Sequence, residues 1–129
     1  MPSPRPADDE RTCARCGRRI EPRRSLARNW DSVKWCSDSC RRAGVRAIDL
    51  RLETEIVSLL ESRAGGATAC PSEVAKSVGG DAWRELLEAT RCAARRLVGS
   101  GRIEIVQGGR IVDPSTAKGP IRLRLVRRG

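Results

Sequence analysis

The chain contains no histidine, no phenylalanine and no tyrosine, and its aromatic residues are the three tryptophans Trp30, Trp35 and Trp83 in 129 residues. Without imidazole, every histidine-containing metal set and every histidine general base is excluded, which leaves cysteine as the soft ligand. With so few rings, a module that reads single strands by stacking bases on several aromatics is poorly supplied. No run of 18 apolar residues occurs, so no membrane span is expected. The first ten residues lack the apolar core of a secretory segment, and the expected compartment is the reducing cytoplasm. Phosphate-cradling glycine loops and a flanked nucleophilic serine are also missing, so no enzyme class is indicated by motif.

Six cysteines are present, and four fall into two close pairs: Cys13 with Cys16, and Cys36 with Cys40. Two residues between Cys13 and Cys16 let a tight turn aim both sulfurs at one ion at about 2.3 Å, and Gly17 supplies the backbone freedom to turn. Cys36 and Cys40 lie four apart, on one face of a helical turn. In a reducing compartment this spacing points to one structural zinc held by four thiolates with no open coordination position. Two disulfides, or buried free thiols, are the competing readings. Arg15, Arg18, Arg19, Arg41 and Arg42 flank the pairs, and nearby cations favour the thiolate form. A segment of about 45 residues also needs such a staple, because it cannot bury enough surface alone.

The run Trp35-Cys36-Ser37-Asp38-Ser39-Cys40-Arg41, after a Cys-x-x-Cys knuckle, resembles treble-clef zinc modules. That resemblance implies a second ligand pair at the start of a short helix. With Trp30-Asp31-Ser32-Val33-Lys34 ahead of it, the stretch is similar to a short cysteine-rich bacterial family of unassigned function.

Charge is one-sided. The net charge is +10, and 23 of the 26 cations are arginine, a bias that genome composition alone could produce. Each part of the chain, 1–45 and 46–129, carries +5, so the basic character is not confined to a tail. Such a field favours polyanions, nucleic acid above all. Clustered cysteines followed by apolar periodicity predict a disordered leader over 1–11, a zinc module over 12–45 and a second domain over 46–129.

In the second part, Ile48, Leu52, Ile56, Leu59 and Leu60 share one helical face that runs to about Arg63 and stops at Gly65-Gly66. Pro71 and Glu73 open a second helix, closed by Gly79-Gly80. Asp81 caps a third, whose stripe is Trp83, Leu86, Leu87, Thr90, Ala94, Leu97 and Val98. Arg102 to Gln107 and Arg110 to Val112 alternate around Gly108-Gly109 as a hairpin, and Ile121 to Leu125 forms a further strand with two arginines on its other face. Three helices and then a hairpin is a winged-helix order, so the predicted fold class is α+β, a treble-clef-like zinc module followed by a winged helix. The stretches Cys70-Pro71-Ser72-Glu73-Val74-Ala75, Trp83-Arg84 and Gly119-Pro120-Ile121-Arg122-Leu123 make residues 48–125 resemble a second uncharacterised bacterial family, of winged-helix type.

On a helical wheel Arg84, Arg91 and Arg95 share one side of the third helix, beside the apolar stripe. In helix-turn-helix proteins that helix enters the major groove. These three, with Arg102, Arg110, Arg122 and Arg124, are therefore the nucleic-acid-binding candidates, DNA being favoured over RNA. An ordinary solvated face with i, i+4 ion pairs is the alternative, and Glu88 on the same side weighs against phosphate. Trp30 and Trp35 are expected to form a small core against the metal site, with exposure to a protein partner as the other possibility. Cys92 falls opposite the stripe and is expected to be an exposed, silent thiol. Cys70 falls at a helix N-terminus, where it is either a capping or buried thiol or a lowered-pKa nucleophile. The functional expectation is a zinc-containing nucleic-acid-binding or regulatory factor; the alternatives are a protein-interaction adaptor and a small enzyme using Cys70.

Overall fold

The computed structural model describes residues 11–21, 30, 32–63 and 65–126. The leader expected over 1–11 lies, except for Arg11, outside the described residues. Among the described residues, α-helices, a 3-10 segment and a four-stranded antiparallel sheet define an α+β architecture: α1 (Asp38–Ala43), α2 (Ala47–Glu61), β1 (Thr68–Ala69), α3 (Pro71–Gly79), a 3-10 segment (Gly80–Leu86), α4 (Leu87–Gly99), β2 (Ile103–Gln107), β3 (Arg110–Ile111) and β4 (Arg122–Leu125).

Local chemistry sets most boundaries. The Ser37 hydroxyl accepts from the Cys40 N–H at 3.2 Å and caps α1, while Gly44, at φ +62, ends it by donating to the Cys40 carbonyl. Pro71 occupies the first turn of α3, and the Glu73 carboxylate accepts the Cys70 N–H at 2.7 Å. The third predicted helix does not run unbroken from Asp81. Residues Gly80–Leu86 form a 3-10 segment with Ala82 off helical geometry, and α4 begins only at Leu87. Leu86 lies where a side chain on Gly79 would go, so packing Leu86 against that glycine tightens the turn at the expense of an α-helical start.

The main core gathers Leu52, Ile56 and Leu60 from α2, Val74 from α3, Ala93, Ala94 and Leu97 from α4, and Ile103, Ile105 and Leu123 from the sheet. Burying a leucine or isoleucine side chain contributes about 1.5–3 kcal/mol, so this layer of helices on one sheet face is the main source of stability. Ile48 and Leu59, on the predicted stripe, are partly buried at its rim. Trp83 is only partly buried in the 3-10 segment.

The sheet order is β1-β4-β2-β3. Gly108 and Gly109, both at positive φ, make the two-residue turn that pairs Val106 with Ile111 and Gln107 with Arg110. On its other edge β2 pairs with β4, Ile105 opposite Leu123 and Glu104 opposite Arg124. The intervening loop is anchored by Gln107, whose amide donates to the carbonyls of Lys118 at 2.6 Å and Pro120 at 2.9 Å.

Candidate metal centre and basic surface

Cys13, Cys16, Cys36 and Cys40 converge, their four sulfurs all within 4.8 Å of one another. The Cys16–Cys36 and Cys36–Cys40 sulfur separations are both 3.6 Å. Disulfide bonds are near 2.05 Å, so these pairs are not disulfides. A tetrahedron with 2.3 Å metal–sulfur bonds has edges of about 3.8 Å, and the four thiols fit one metal ion at that size. Two elements set the geometry. The knuckle is closed by Gly17 N–H donating to the Cys13 carbonyl at 3.0 Å and by an isolated bridge between Thr12 and Arg19. The second pair straddles the start of α1, Cys36 before the cap and Cys40 inside the helix.

The thiols are tuned unequally. Burial opposes the thiolate at Cys13, but backbone N–H groups of Cys16, Cys36 and Arg15 outweigh it and bring the pKa down to about 7. Burial pushes Cys16 and Cys36 up. A bound cation would reverse that bias by holding all four sulfurs as thiolates. Ile20 and Val33 are buried around the cysteines, and Trp30 and Trp35 pack against them while remaining partly exposed.

Cys92 belongs to this same cluster. It is only 2% exposed, not the solvent-facing thiol the helical wheel predicts, because the cysteine module packs on that side of α4. Burial raises its pKa, against the lowering effect of Arg95.

Of the seven candidate arginines, one is withdrawn from the surface. Arg95 is 5% exposed; its Nε donates to the Cys16 carbonyl at 2.5 Å and a terminal nitrogen pairs with Glu88 at 3.2 Å. It therefore points into the cysteine module and not to solvent beside Arg84. Arg91 donates to the Gly119 carbonyl at 3.0 Å. Arg124 pairs with Glu104 at 2.6 Å, and Arg122 donates to the Thr68 hydroxyl at 2.9 Å while remaining exposed. Arg84 is exposed and stacks on the Trp83 ring at 4.5 Å, with Lys76 over the same ring at 4.7 Å. Arg102 and Arg110 are exposed.

Three other arginines that the sequence pattern did not single out as contacts tie the cysteine module to the rest. Arg96 donates to the Arg15 carbonyl, to Glu53 at 2.6 Å and to the Asp49 carbonyl at 3.2 Å. Arg19 pairs with Asp113 at 2.6 Å, and its N–H donates to the Ser115 hydroxyl at 2.8 Å. Arg15 lies close enough to Cys40, Cys92 and Asp49 for their charges to raise its pKa against the effect of burial. Gly17, at φ +76, lies flat against the α4 backbone at Arg95 and Arg96. The one available signal was a glycine just after the knuckle; no local pattern names its partner.

Cys70 sits half-buried at the N-terminus of α3, its sulfur 3.1 Å from the Ser72 hydroxyl oxygen. Arg63 donates to Glu73 at 2.5 Å and to the Thr68 carbonyl at 2.7 Å, closing the same corner.

The molecule is thus an α+β protein whose N-terminal part carries a four-cysteine cluster able to hold a metal ion. Residues 49–126 match the family described as "Protein of unknown function (DUF3253)", and the chain belongs to it. Ahead of that, residues 5–43 match the family described as "Uncharacterized protein conserved in bacteria (DUF2256)", so two families of unassigned role stand in tandem. No curated protein matches the chain. No helix among the described residues is long and apolar enough to cross a membrane.

Proposed function

We propose that the protein is a cytoplasmic, zinc-stapled winged-helix factor that binds nucleic acid, duplex DNA in preference to RNA. Zinc is the metal that four thiolates in a tetrahedron favour, and a site with no open position stabilises a fold instead of activating water. A treble clef is supported by a knuckle followed by two ligands around a short helix start. A winged helix is supported by the order helix, strand, helix, helix, strand, strand, with β4 lying between β1 and β2. The long connection from Gly108 to Ile121 would then be the wing, β3 folding back within it.

The observation that carries the nucleic-acid assignment is the net charge of +10, with Arg18, Arg42, Arg51 and Arg102 among the cations left at the surface. No catalytic step is included: Cys70 serves as a helix-terminal group, and no histidine exists to activate it. A protein-interaction adaptor is the second reading, favoured by a hollow of about 330 Å³ beside α2, lined by Glu53, Val57 and a 55%-exposed Leu50.

The test is binding of the full zinc-loaded chain to duplex DNA, single-stranded DNA and structured RNA across a salt series. A nucleic-acid binder loses affinity in proportion to the phosphates it neutralises. Affinity that is weak for all three and flat with salt would refute the assignment.

A further inference from the structure

Two observations bear on which surface would meet the phosphates. The first is that the outward side of α4 from Cys92 to Gly99 is already occupied. Cys92 and Arg95 are buried there, and Arg95 and Arg96 donate to the carbonyls of Cys16 and Arg15 in the knuckle. The loop after β3 is tied to the same module through Arg19, which bonds Asp113 and Ser115. The cysteine module therefore lies across both parts that a winged helix would offer to DNA, its third helix and its wing loop. In helix-turn-helix proteins the recognition helix enters the groove, and a second module seated on its outer side obstructs that approach.

The second observation is where the charge is held. Among the described residues, 11–46 carry eight Lys or Arg against two acidic residues, whereas 47–126 carry twelve against ten. Of the latter twelve, Arg63, Arg95, Arg96 and Arg124 are each held by a carboxylate. In 11–46, Arg19 pairs with Asp113 and Arg46 with Asp49, whereas Arg18, Lys34, Arg41 and Arg42 are exposed on the cysteine module. Arg41 pairs only with the well-exposed Asp38, and a solvated pair of that kind is weak and readily exchanged for phosphate.

We propose that the exposed side of the cysteine module is the surface that contacts duplex DNA, through its phosphate backbone, and that α4 is the seat on which this module is mounted. This rests on the nucleic-acid assignment above and relocates its contact face. The chemistry is that of point charges and guanidinium groups on phosphate oxygens, so binding is steeply salt-dependent and nearly indifferent to base sequence.

The experiment compares four variants of the full zinc-loaded chain on one duplex across a salt series. Lys34→Glu, Arg41→Glu and Arg42→Glu together should weaken binding by about tenfold or more and reduce the salt slope by about three. The same three positions changed to retain charge (Arg41→Lys, Arg42→Lys, Lys34→Arg) should bind as wild type, which separates charge from a folding defect. Arg84→Glu, Arg110→Glu and Arg122→Glu together should cost several-fold less than the first set. Zinc content and thermal midpoint are measured for each. A larger loss from the Arg84, Arg110 and Arg122 set than from the Lys34, Arg41 and Arg42 reversal would overturn the proposal while leaving nucleic-acid binding intact. So would a gain of duplex binding in Gly17→Val, which unseats the module and would mark it as a cover over a groove-reading helix. If wild type binds no duplex even at low salt, the nucleic-acid assignment and this proposal fail together.

Discussion

Gly17 rests on Arg95 with no space between them for a side chain. A Cβ on Gly17 would stand 2.7 Å from both the Arg95 carbonyl carbon and the Arg96 nitrogen, and closer still to the Arg95 Cβ. Because these are helix backbone atoms, no side-chain rotation can relieve the clash. Gly17→Ala combines that overlap with a left-handed backbone (φ +76) and should cost about 3 kcal/mol. Gly101 has a similar φ of +78 and open space around it, so Gly101→Ala should cost only about 1 kcal/mol. Chemical denaturation of the two variants measures the difference; equal losses would show that the close approach carries no energy.

Elemental analysis of the purified chain should return one zinc per molecule, because one set of cysteines converges. Chelation should melt residues 12–45 while α2, α3 and α4 keep their helicity, since their core contains no metal ligand. Circular dichroism and hydrogen exchange read both halves of that statement. A metal-free preparation with 12–45 protected would contradict it.

Arg96 bridges α2 and the knuckle, so Arg96→Met should leave Glu53 and two carbonyls without their donor. The expected cost is about 2–3 kcal/mol, with amides of 11–21 exchanging faster. Unchanged exchange in that segment would mean that the arginine bridge does not hold the module in place.

The two cysteines that are not among the four metal-ligand candidates should respond differently to serine. Cys92→Ser removes a buried sulfur that sits 3.4 Å from an Arg95 nitrogen and 3.7 Å from the Glu88 carboxylate, and should cost about 1–2 kcal/mol in lost packing with the zinc content unchanged. Cys70→Ser puts a favoured capping residue at the start of α3 and should be neutral or slightly stabilising. Loss of a DNA-binding or other activity in folded Cys70→Ser would bring back the thiol-enzyme alternative.

Acid should loosen the corner between β1 and α3. Arg63 and the Cys70 N–H hold the Glu73 carboxyl below its ordinary range. Asp113 is also lowered: burial raises its pKa, but Arg19 and the Ser115 N–H outweigh that. Depressed folded values mean that the unfolded chain takes up these protons first. The stabilisation is complete above the ordinary carboxylate pKa of about 4 and is lost as pH falls through the lowered folded values. Denaturation midpoints between about pH 3 and 7 should therefore fall with acid, and less steeply in Glu73→Gln. Identical profiles would show that this ion pair makes no net contribution.

The sequence made local features legible. Helical faces placed Leu52, Ile56, Leu60, Ala94 and Leu97 in the core, Gly108-Gly109 marked the hairpin turn, and cysteine spacing marked the metal cluster. Each of these depends on neighbours within a few residues. What stayed hidden depends on distant ones. The wheel put Arg95 and Cys92 toward solvent because it treats a helix as having a single packed side, whereas α4 is packed on two. The pairing of β4 with β2 across a long loop, the partnership of Arg19 with Asp113 and the two-residue strand β1 left no periodic trace.

The seat on α4 also constrains how the two halves can be inherited. Cys92, Arg95, Arg96 and Gly99 form a contact patch fitted to Arg15, Cys16, Gly17 and Thr12. A protein carrying the second half without the first would expose a buried thiol and two guanidinium groups robbed of their carbonyl acceptors. Such a stand-alone version is expected to differ at these four positions, with long or polar side chains replacing Cys92 and Gly99, so that those positions tell a fused lineage from a solitary one.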